Sequence, residues 1–432
     1  MSQVVVPGKN WKLSLAELIA LLEARKIQFK VGEFAREFFA IHTDSHGVSL
    51  DVSSFGGVIK IGRIEEVIQT EMFEKAFGQA DKKVKNDIAE QILSGRLFSG
   101  MLGKVSSKYL FGVSVYCAKD SLRPAAASIQ RFVGSSIKKG VALQDKKAEF
   151  MGFPKERRQP QLTHVEVLKK NLVDNRAEVL VCIGRIQTLL AITSSVHNPF
   201  EFQKRDVGKP SQRKIFAIPP RLARIMVNLA ECNAGKVLLD PFCGVGTILQ
   251  EALLAKAQVV GVDANNWCVE AATENLQWLR KEYQIDGAEF RVLKGDALRL
   301  QSRIGSEVDC IVTEPDLGPA LREIPTASYA QKIVEKLSPL YFGFLEEAHC
   351  ILKKNGRLVI VTPFLRTRSG KPVTLHVEEK AGEIGFKMAY PFGRADAFES
   401  YDFVKEDMRK IRRFVDIAEH HKTGREIHVF QK

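Results

Sequence analysis

From Pro220 onward, five apolar runs alternate with amphipathic helical segments, and that alternation leaves few folds open. The runs are KVLLDPF, AQVVGVDA, AEFRVLKGD, VDCIVTEP and GRLVIVTPF. Between them stand TILQEALLAKA, NWCVEAATENLQWLRKEY and IVEKLSPLYFGFLEEAHCILKK. Strands that are apolar throughout suit burial on both faces, and helical crossovers join parallel neighbours. The pattern predicts an α/β domain over residues 221–432, a mostly parallel, doubly wound, Rossmann-like sheet that ends in the strand REIHVFQK.

Upstream the texture is mixed. SLAELIALLEAR has helical spacing behind Ser14 as a cap, and EFFAIHT and GGVIKIGRI read as strands, giving a small N-terminal α/β region over 1–70. A second region over 71–197 contains the strand FGVSVYC, a helix through SIQRFVGSSIKKG, and the strand pair EVLVCIG and TLLAITS. Residues 198–220, charged and punctuated by Pro and Gly, read as a basic linker.

Composition narrows the class of partner. The chain has 432 residues, 45% hydrophobic and 27% charged, which excludes disordered and low-complexity proteins. Its longest apolar runs fall short of a spanning helix, and no long apolar leader opens it, so no membrane is expected. Seven cysteines, odd in number and without a CxxC pair, point to a reducing cytoplasm with neither disulfides nor a metal site. The net charge is +13, and the stretches 131–170 and 203–224 each carry +6 of it. Charge so concentrated favours a polyanion over a membrane surface. Lys138, Lys139, Lys146, Lys147, Arg157 and Arg158 in the first stretch, with Arg205, Lys209 and Arg213 in the second, are the expected contacts to that polyanion, which the family resemblance given below implies is RNA.

The first predicted strand of the C-terminal domain runs into Asp240, Pro241, Phe242, Cys243, Gly244, Val245, Gly246 and Thr247, where a helix opens. Glycines let a ligand approach the backbone, and the helix start offers free N–H groups. Asp263, with Ala264 after it, closes the next strand 23 residues on, where a carboxylate can accept both hydroxyls of a ribose. Position 249 is Leu rather than the third glycine of a dinucleotide fingerprint, and no Lys follows the loop as in a P-loop. The Asp-Pro-Phe lead-in, with Asp296 and Ala297 after the third strand, instead resembles S-adenosylmethionine-dependent methyltransferases. That resemblance places the methionine moiety on the first loop, the ribose at Asp263 and the adenine edge at Asp296. Phe242 is equally expected as a floor under the loop or as a ligand contact; of Trp267 and Trp278 on the helix after Asp263, one is expected to cover adenine and the other to lie in the core.

The fourth strand ends in Glu314, Pro315, Asp316 and Leu317, where amino-methylating enzymes carry Asp/Asn-Pro-Pro-Tyr/Phe. An exocyclic amine conjugated to a base is a poor nucleophile. A carboxylate and a proline carbonyl that accept its N–H bonds hold it in line for attack. Glu314 and Pro315 suit those roles; Asp316 and Leu317 depart from the pattern, which leaves Tyr329 or Phe364 to supply a stacking ring.

The stretch from Thr193 to Ala230 carries a closer likeness. Thr193, Arg205-Asp206, Pro210, Pro219-Pro220, Leu222-Ala223 and Asn228-Leu229-Ala230 resemble the THUMP-containing tRNA guanine-N2 methyltransferases that act on guanosine 10, with Lys209 where that family has Arg. The resemblance implies an α+β ferredoxin-like region, then a THUMP RNA-binding domain, then the methyltransferase domain. It implies S-adenosylmethionine as cofactor, tRNA as partner, and a cytoplasmic monomer that leaves room for a small activating subunit. Two other functions stay open: amino-methylation of another RNA or DNA base, and a tRNA-binding protein with a retired active site.

Overall fold

The computed structural model describes residues 2–44, 50–103, 109–152, 160–212, 217–287, 289–389, 392 and 411–432. These fall into two compact units, one from residues 2–11 and 27–199, the other from 12–26, 200–389, 392 and 411–432. Among the described residues, no helix is long and apolar enough to cross a membrane.

In chain order the first part comprises β1 (Ser2–Pro7), α1 (Trp11–Ala24), β2 (Phe29–Phe34), β3 (Phe39–Thr43), β4 (Val58–Gln69) and α2 (Thr70–Phe73). It continues with α3 (Lys82–Ser94), α4 (Arg96–Leu102), β5 (Tyr109–Cys117), α5 (Ala126–Ala142), β6 (Ala148–Met151), α6 (His164–Lys169), β7 (Glu178–Ile183) and β8 (Gln187–Val196). The strands form one sheet in the order β2-β3-β1-β4-β8-β7-β5-β6. The two regions expected on either side of residue 70 therefore share a sheet, joined where the long β4 pairs antiparallel with β8. A buried ion pair crosses this seam: the Lys60 ammonium on β4 meets the Glu178 carboxylate on β7, which Ser114 and Thr193 also bond at 2.7 Å each. With those hydroxyls both carboxylate oxygens accept hydrogen bonds, which a buried charge requires.

The helix α1 lies between β1 and β2 in the chain but belongs to the second unit. It starts at Trp11, so Ser14 is not its cap but a buried residue of the first turn. Its Glu17, fully buried, accepts from Asn228 Nδ2 at 2.8 Å.

The second unit continues with α7 (Pro199–Val207), α8 (Pro220–Leu229), β9 (Val237–Asp240), α9 (Thr247–Leu254), β10 (Gln258–Asp263), α10 (Asn266–Glu282), β11 (Phe290–Lys294) and α11 (Leu300–Ile304). It closes with β12 (Val308–Thr313), α12 (Ala327–Ile351), β13 (Leu352–Leu365), β14 (Val373–Thr374), α13 (Glu378–Ile384), β15 (Lys387–Met388), β16 (Arg413–Asp416) and β17 (Thr423–Gln431). The sheet runs β11-β10-β9-β12-β13-β17-β15, with β14 on β13 and β16 on β17. The first five strands pair in parallel, and β17 returns antiparallel to β13. This is the Rossmann-like α/β sheet that the alternation predicts.

Chain order reverses between β9 and β12, because from β9 the chain winds out to β11 and then crosses back. Ligands in such sheets bind beyond the strand ends at that reversal. The segment 198–220, expected to be linker, begins as the helix α7.

Candidate active site

Asp240 ends β9 and Thr313 ends β12, so the switch point brings them side by side. Thr313 Oγ1 lies 2.7 Å from Asp240 Oδ1, which also accepts from Phe242 N at 3.2 Å. Asp240 is 1% exposed, and that burial raises its carboxyl from 3.8 to about 7, against the lowering pull of the Thr313 hydroxyl. The neighbouring charges of Asp263 and Glu314 push it the same way as burial.

The loop after Asp240 turns through two left-handed residues, Gly244 at φ +51° and Gly246 at φ +83°. At Gly246 a Cβ would sit 3.2 Å from Ala272 Cβ on α10, whereas nothing lies within 4 Å of one at Gly244. Gly246 therefore keeps the loop close to the helix behind it, and Gly244 faces open space as a ligand cradle would. Gly246 caps α9 without a side chain, and Thr247 begins that helix.

Asp263 stands at the tip of β10. Its Oδ2 accepts from Gly244 N at 2.9 Å and its Oδ1 from Asn265 N at 2.8 Å. Each oxygen keeps a second lone pair for a hydroxyl. Ala264 and Trp267 are exposed beside it, the indole by 47%. Asp296, exposed, accepts from Leu298 N at 2.9 Å, with the buried Ala297 next to it.

Ala217, Ile218, Asp240, Phe242, Cys243, Gly244, Val245, Thr247, Ile248 and Glu314 enclose a cavity of about 60 Å³. Phe242 both lines this cavity and packs edge-on against Phe344, with ring centroids 5.4 Å apart. Gly244, open above its backbone, and Asp263, with a lone pair left on each oxygen, supply the groups that the ribose and amino-acid chain of a nucleoside cofactor require.

Glu314 enters the cavity from the end of β12, but its carboxylate is not free. Arg425 on β17 donates to both oxygens, Nε to Oε2 at 2.5 Å and Nη2 to Oε1 at 3.2 Å, and Nη2 also reaches Ala217 O at 3.5 Å. Burial raises the Glu314 carboxyl, and the guanidinium pulls it back down. Arg425 opens the final strand REIHVFQK, in which it is not among the expected site residues; the antiparallel return of β17 beside β13 brings it here. Pro315 and Leu317 are buried, with Leu317 9% exposed. Asp316 is exposed and bonds Gly318 N at 3.0 Å, while its backbone carbonyl accepts from Tyr341 Oη at 2.9 Å. The Glu-Pro-Asp-Leu segment is thus held from both ends. Tyr329 is 51% exposed in the first turn of α12, and Phe364 is half-buried opposite Gly424 on β17.

The basic stretches divide. Lys138, Lys139, Lys146 and Lys147 are exposed at and beyond the end of α5. Arg157, Arg158 and Arg213 lie outside the described residues. Arg205 and Lys209, expected on an RNA face, are 5% and 3% exposed. Arg205 Nε bonds Glu251 Oε1 at 2.6 Å, and Arg224 Nη2 meets the other oxygen at 2.8 Å. Lys209 Nζ donates to Thr247 Oγ1 at 3.0 Å. Asn275 accepts from Ser211 N at 2.9 Å and donates to Val245 O at the same distance. In place of a solvated linker, this segment braces the glycine loop and α9. The charge count missed this because charge alone does not reveal a buried partner.

A methyltransferase-domain family described as RMKL-like matches residues 210–369. A tRNA (guanine(10)-N2)-dimethyltransferase of Methanothermobacter thermautotrophicus is 39% identical over 159 residues, 36% of this chain and 42% of that protein. The one from Pyrococcus abyssi is 30% identical over 203 residues, 47% of this chain and 55% of its own. A probable tRNA (guanine(10)-N2)-dimethyltransferase from Methanothermococcus thermolithotrophicus is 30% identical over 146 residues, which are 33% of this chain and 79% of that relative. The chain belongs to the tRNA guanine-N2 methyltransferase family. In that family it carries Glu314 paired with Arg425 at the end of β12. The chain spans about half the length of the first relatives it matches, 42% to 55% of each. Among solved structures, TrmN from Thermus thermophilus aligns over 100% of both chains at 15% identity and a TM-score of 0.49.

Proposed function

We propose that this protein transfers a methyl group from S-adenosylmethionine to the exocyclic N2 of a tRNA guanosine, guanosine 10, in the cytoplasm. One juxtaposition carries the reading: the glycine cradle and the Asp240–Thr313 bond meet Glu314 around one cavity at the strand-order switch. When bound, the cofactor supplies an electrophilic methyl on a sulfonium. Asp240, Pro241, Phe242, Gly244, Gly246 and Thr247 would hold its methionyl end, Asp263 and Ala264 its ribose, and Asp296 and Ala297 its adenine.

Glu314 accepts an N–H of the guanine amine through a lone pair that Arg425 leaves available, and the Pro315 carbonyl accepts the other. Leu317 packs against the extruded base without stacking on it, and Asp316 shapes the loop. The region 71–197 acts as a THUMP module, with Lys138, Lys139, Lys146 and Lys147 meeting tRNA phosphates. Relatives named tRNA (guanine(10)-N2)-dimethyltransferase support this reading.

Tritiated methyl transfer to unmodified tRNA transcripts tests it. Incorporation is expected with guanosine 10 present and lost on its replacement; equal labelling of both transcripts would overturn the target assignment. The occupied Glu314 carboxylate favours one rival, a tRNA-binding protein without turnover. Turnover abolished by Glu314→Ala would eliminate it.

A further inference from the structure

Lys209 is a buried cation with less than its share of partners. Its ammonium has three protons, and among the described residues one hydrogen bond is made, to the neutral Thr247 hydroxyl at 3.0 Å. The side chain is 3% exposed, so water does not make up the difference. The carboxylates of Asp206 and Glu251 act on it through space, but Glu251 already accepts from Arg205 and Arg224. A charge so placed calls for a counterion.

Two further features point to where that counterion sits. Thr247, the bonded neighbour, lines the cavity with Gly244 and Asp240. It is also the first residue of α9, whose cap Gly246 contributes no side-chain acceptor, so the helix start favours negative charge beside the very residue that the ammonium bonds.

We propose that Lys209 binds the carboxylate of the methionyl end of S-adenosylmethionine, with Thr247 holding the ammonium in place. This assignment rests on the cofactor reading given above. It makes a residue of the basic segment a cofactor ligand rather than an RNA contact. Arg205 and Asn275 then serve it indirectly, by fixing the segment that presents Lys209.

The test is calorimetric titration of the full chain with three ligands: S-adenosylhomocysteine, its decarboxylated analogue, and methylthioadenosine, which lacks the amino-acid chain. The wild type should bind S-adenosylhomocysteine roughly 10- to 100-fold more tightly than the decarboxylated analogue, the range for one charge-assisted hydrogen bond. Lys209→Met, of similar length and suited to a buried site, should lose that preference and keep its affinity for methylthioadenosine. Equal wild-type affinity for S-adenosylhomocysteine and the decarboxylated analogue would overturn the assignment even if the variant does not fold. So would a Lys209→Met protein that still discriminates between them, or one that weakens on all three ligands alike. Wild-type protein that binds none of the three would overturn the cofactor reading itself, a result distinct from the others.

Discussion

Arg425 and Glu314, 111 residues apart in the chain, face each other across the end of the sheet as a two-pronged ion pair. The carboxylate is 9% exposed and the guanidinium 16%, so the pair is shielded from solvent on both sides. A shielded pair is costly to break from one side, because the remaining charge keeps its desolvation penalty.

Removing the guanidinium should therefore show up in pH dependence as well as in rate. In Arg425→Met, burial acts on Glu314 without its counterweight, and the carboxyl rises further. The acid limb of the methyl-transfer profile should move to higher pH, with a loss of about 3–5 kcal/mol in stability. Lys at 425 should restore part of the lost ground. An acid limb that stays in place in Arg425→Met would show that Glu314 need not be ionised for the reaction.

Asp240 gives stability a pH slope of its own. Its folded carboxyl sits near 7 against an ordinary 3.8, so the folded chain holds that proton more tightly than the unfolded chain does. The contribution is complete below about pH 4 and is lost as pH rises through about 7, a span of roughly 4 kcal/mol. Asp240→Asn keeps an oxygen for the Thr313 bond and cannot ionise. Urea melts should find it more stable than wild type near pH 8 and similar near pH 4, at the cost of cofactor binding. An unchanged wild-type slope in the variant would place the effect elsewhere.

Stability and RNA affinity should separate within the basic residues. Arg205→Met leaves half of the Glu251 clamp unmade inside the unit, so melting should suffer by about 3–5 kcal/mol while tRNA affinity of the folded fraction holds. Lys138→Ala and Lys139→Ala should do the reverse, each lowering the salt slope of tRNA binding by about 1 with little change in melting. A salt slope untouched by both lysines would remove α5 from the RNA face.

At Gly246, any side chain must accept a φ of +83° and approach Ala272 at 3.2 Å. Gly246→Ala should cost about 1–2 kcal/mol from the left-handed backbone alone. It should also weaken S-adenosylhomocysteine binding more than it lowers the melting temperature, as calorimetry beside thermal melts would show. Unaltered binding would mean that the loop does not cradle the ligand.

Much of the C-terminal unit was legible in the chain. The strands β9 to β13 and β17 and the helices α9, α10 and α12 fall where the apolar runs put them, because period and turn residues are local properties, whereas α7 and the short β14, β15 and β16 were not anticipated. The same holds for Gly244, Gly246, Asp263 and Glu314, which stand at strand ends that the pattern already marks. Residues 2–197 were less legible. Strands β3, β4, β5, β7 and β8 fall where strands were expected, but β1, β2 and β6 were not anticipated, and β4 pairing with β8 across more than a hundred residues is a long-range choice that no local signal announces. Helix α1 illustrates the same limit: its spacing showed a helix, not that it would join the second unit, where Glu17 meets Asn228.

The order of apolar and turn residues was enough to specify a parallel sheet with a glycine-lined crevice, since each strand and loop there depends on neighbours a few positions away. Folding decided which charges face water. Lys138 and Lys209 look alike in a string of letters, yet one is exposed near the end of α5 and the other is buried against Thr247 after the glycine loop. The same packing closed Arg425 onto Glu314. A charged side chain takes its role from the dielectric and the partners around it, and those come from segments far away in the chain.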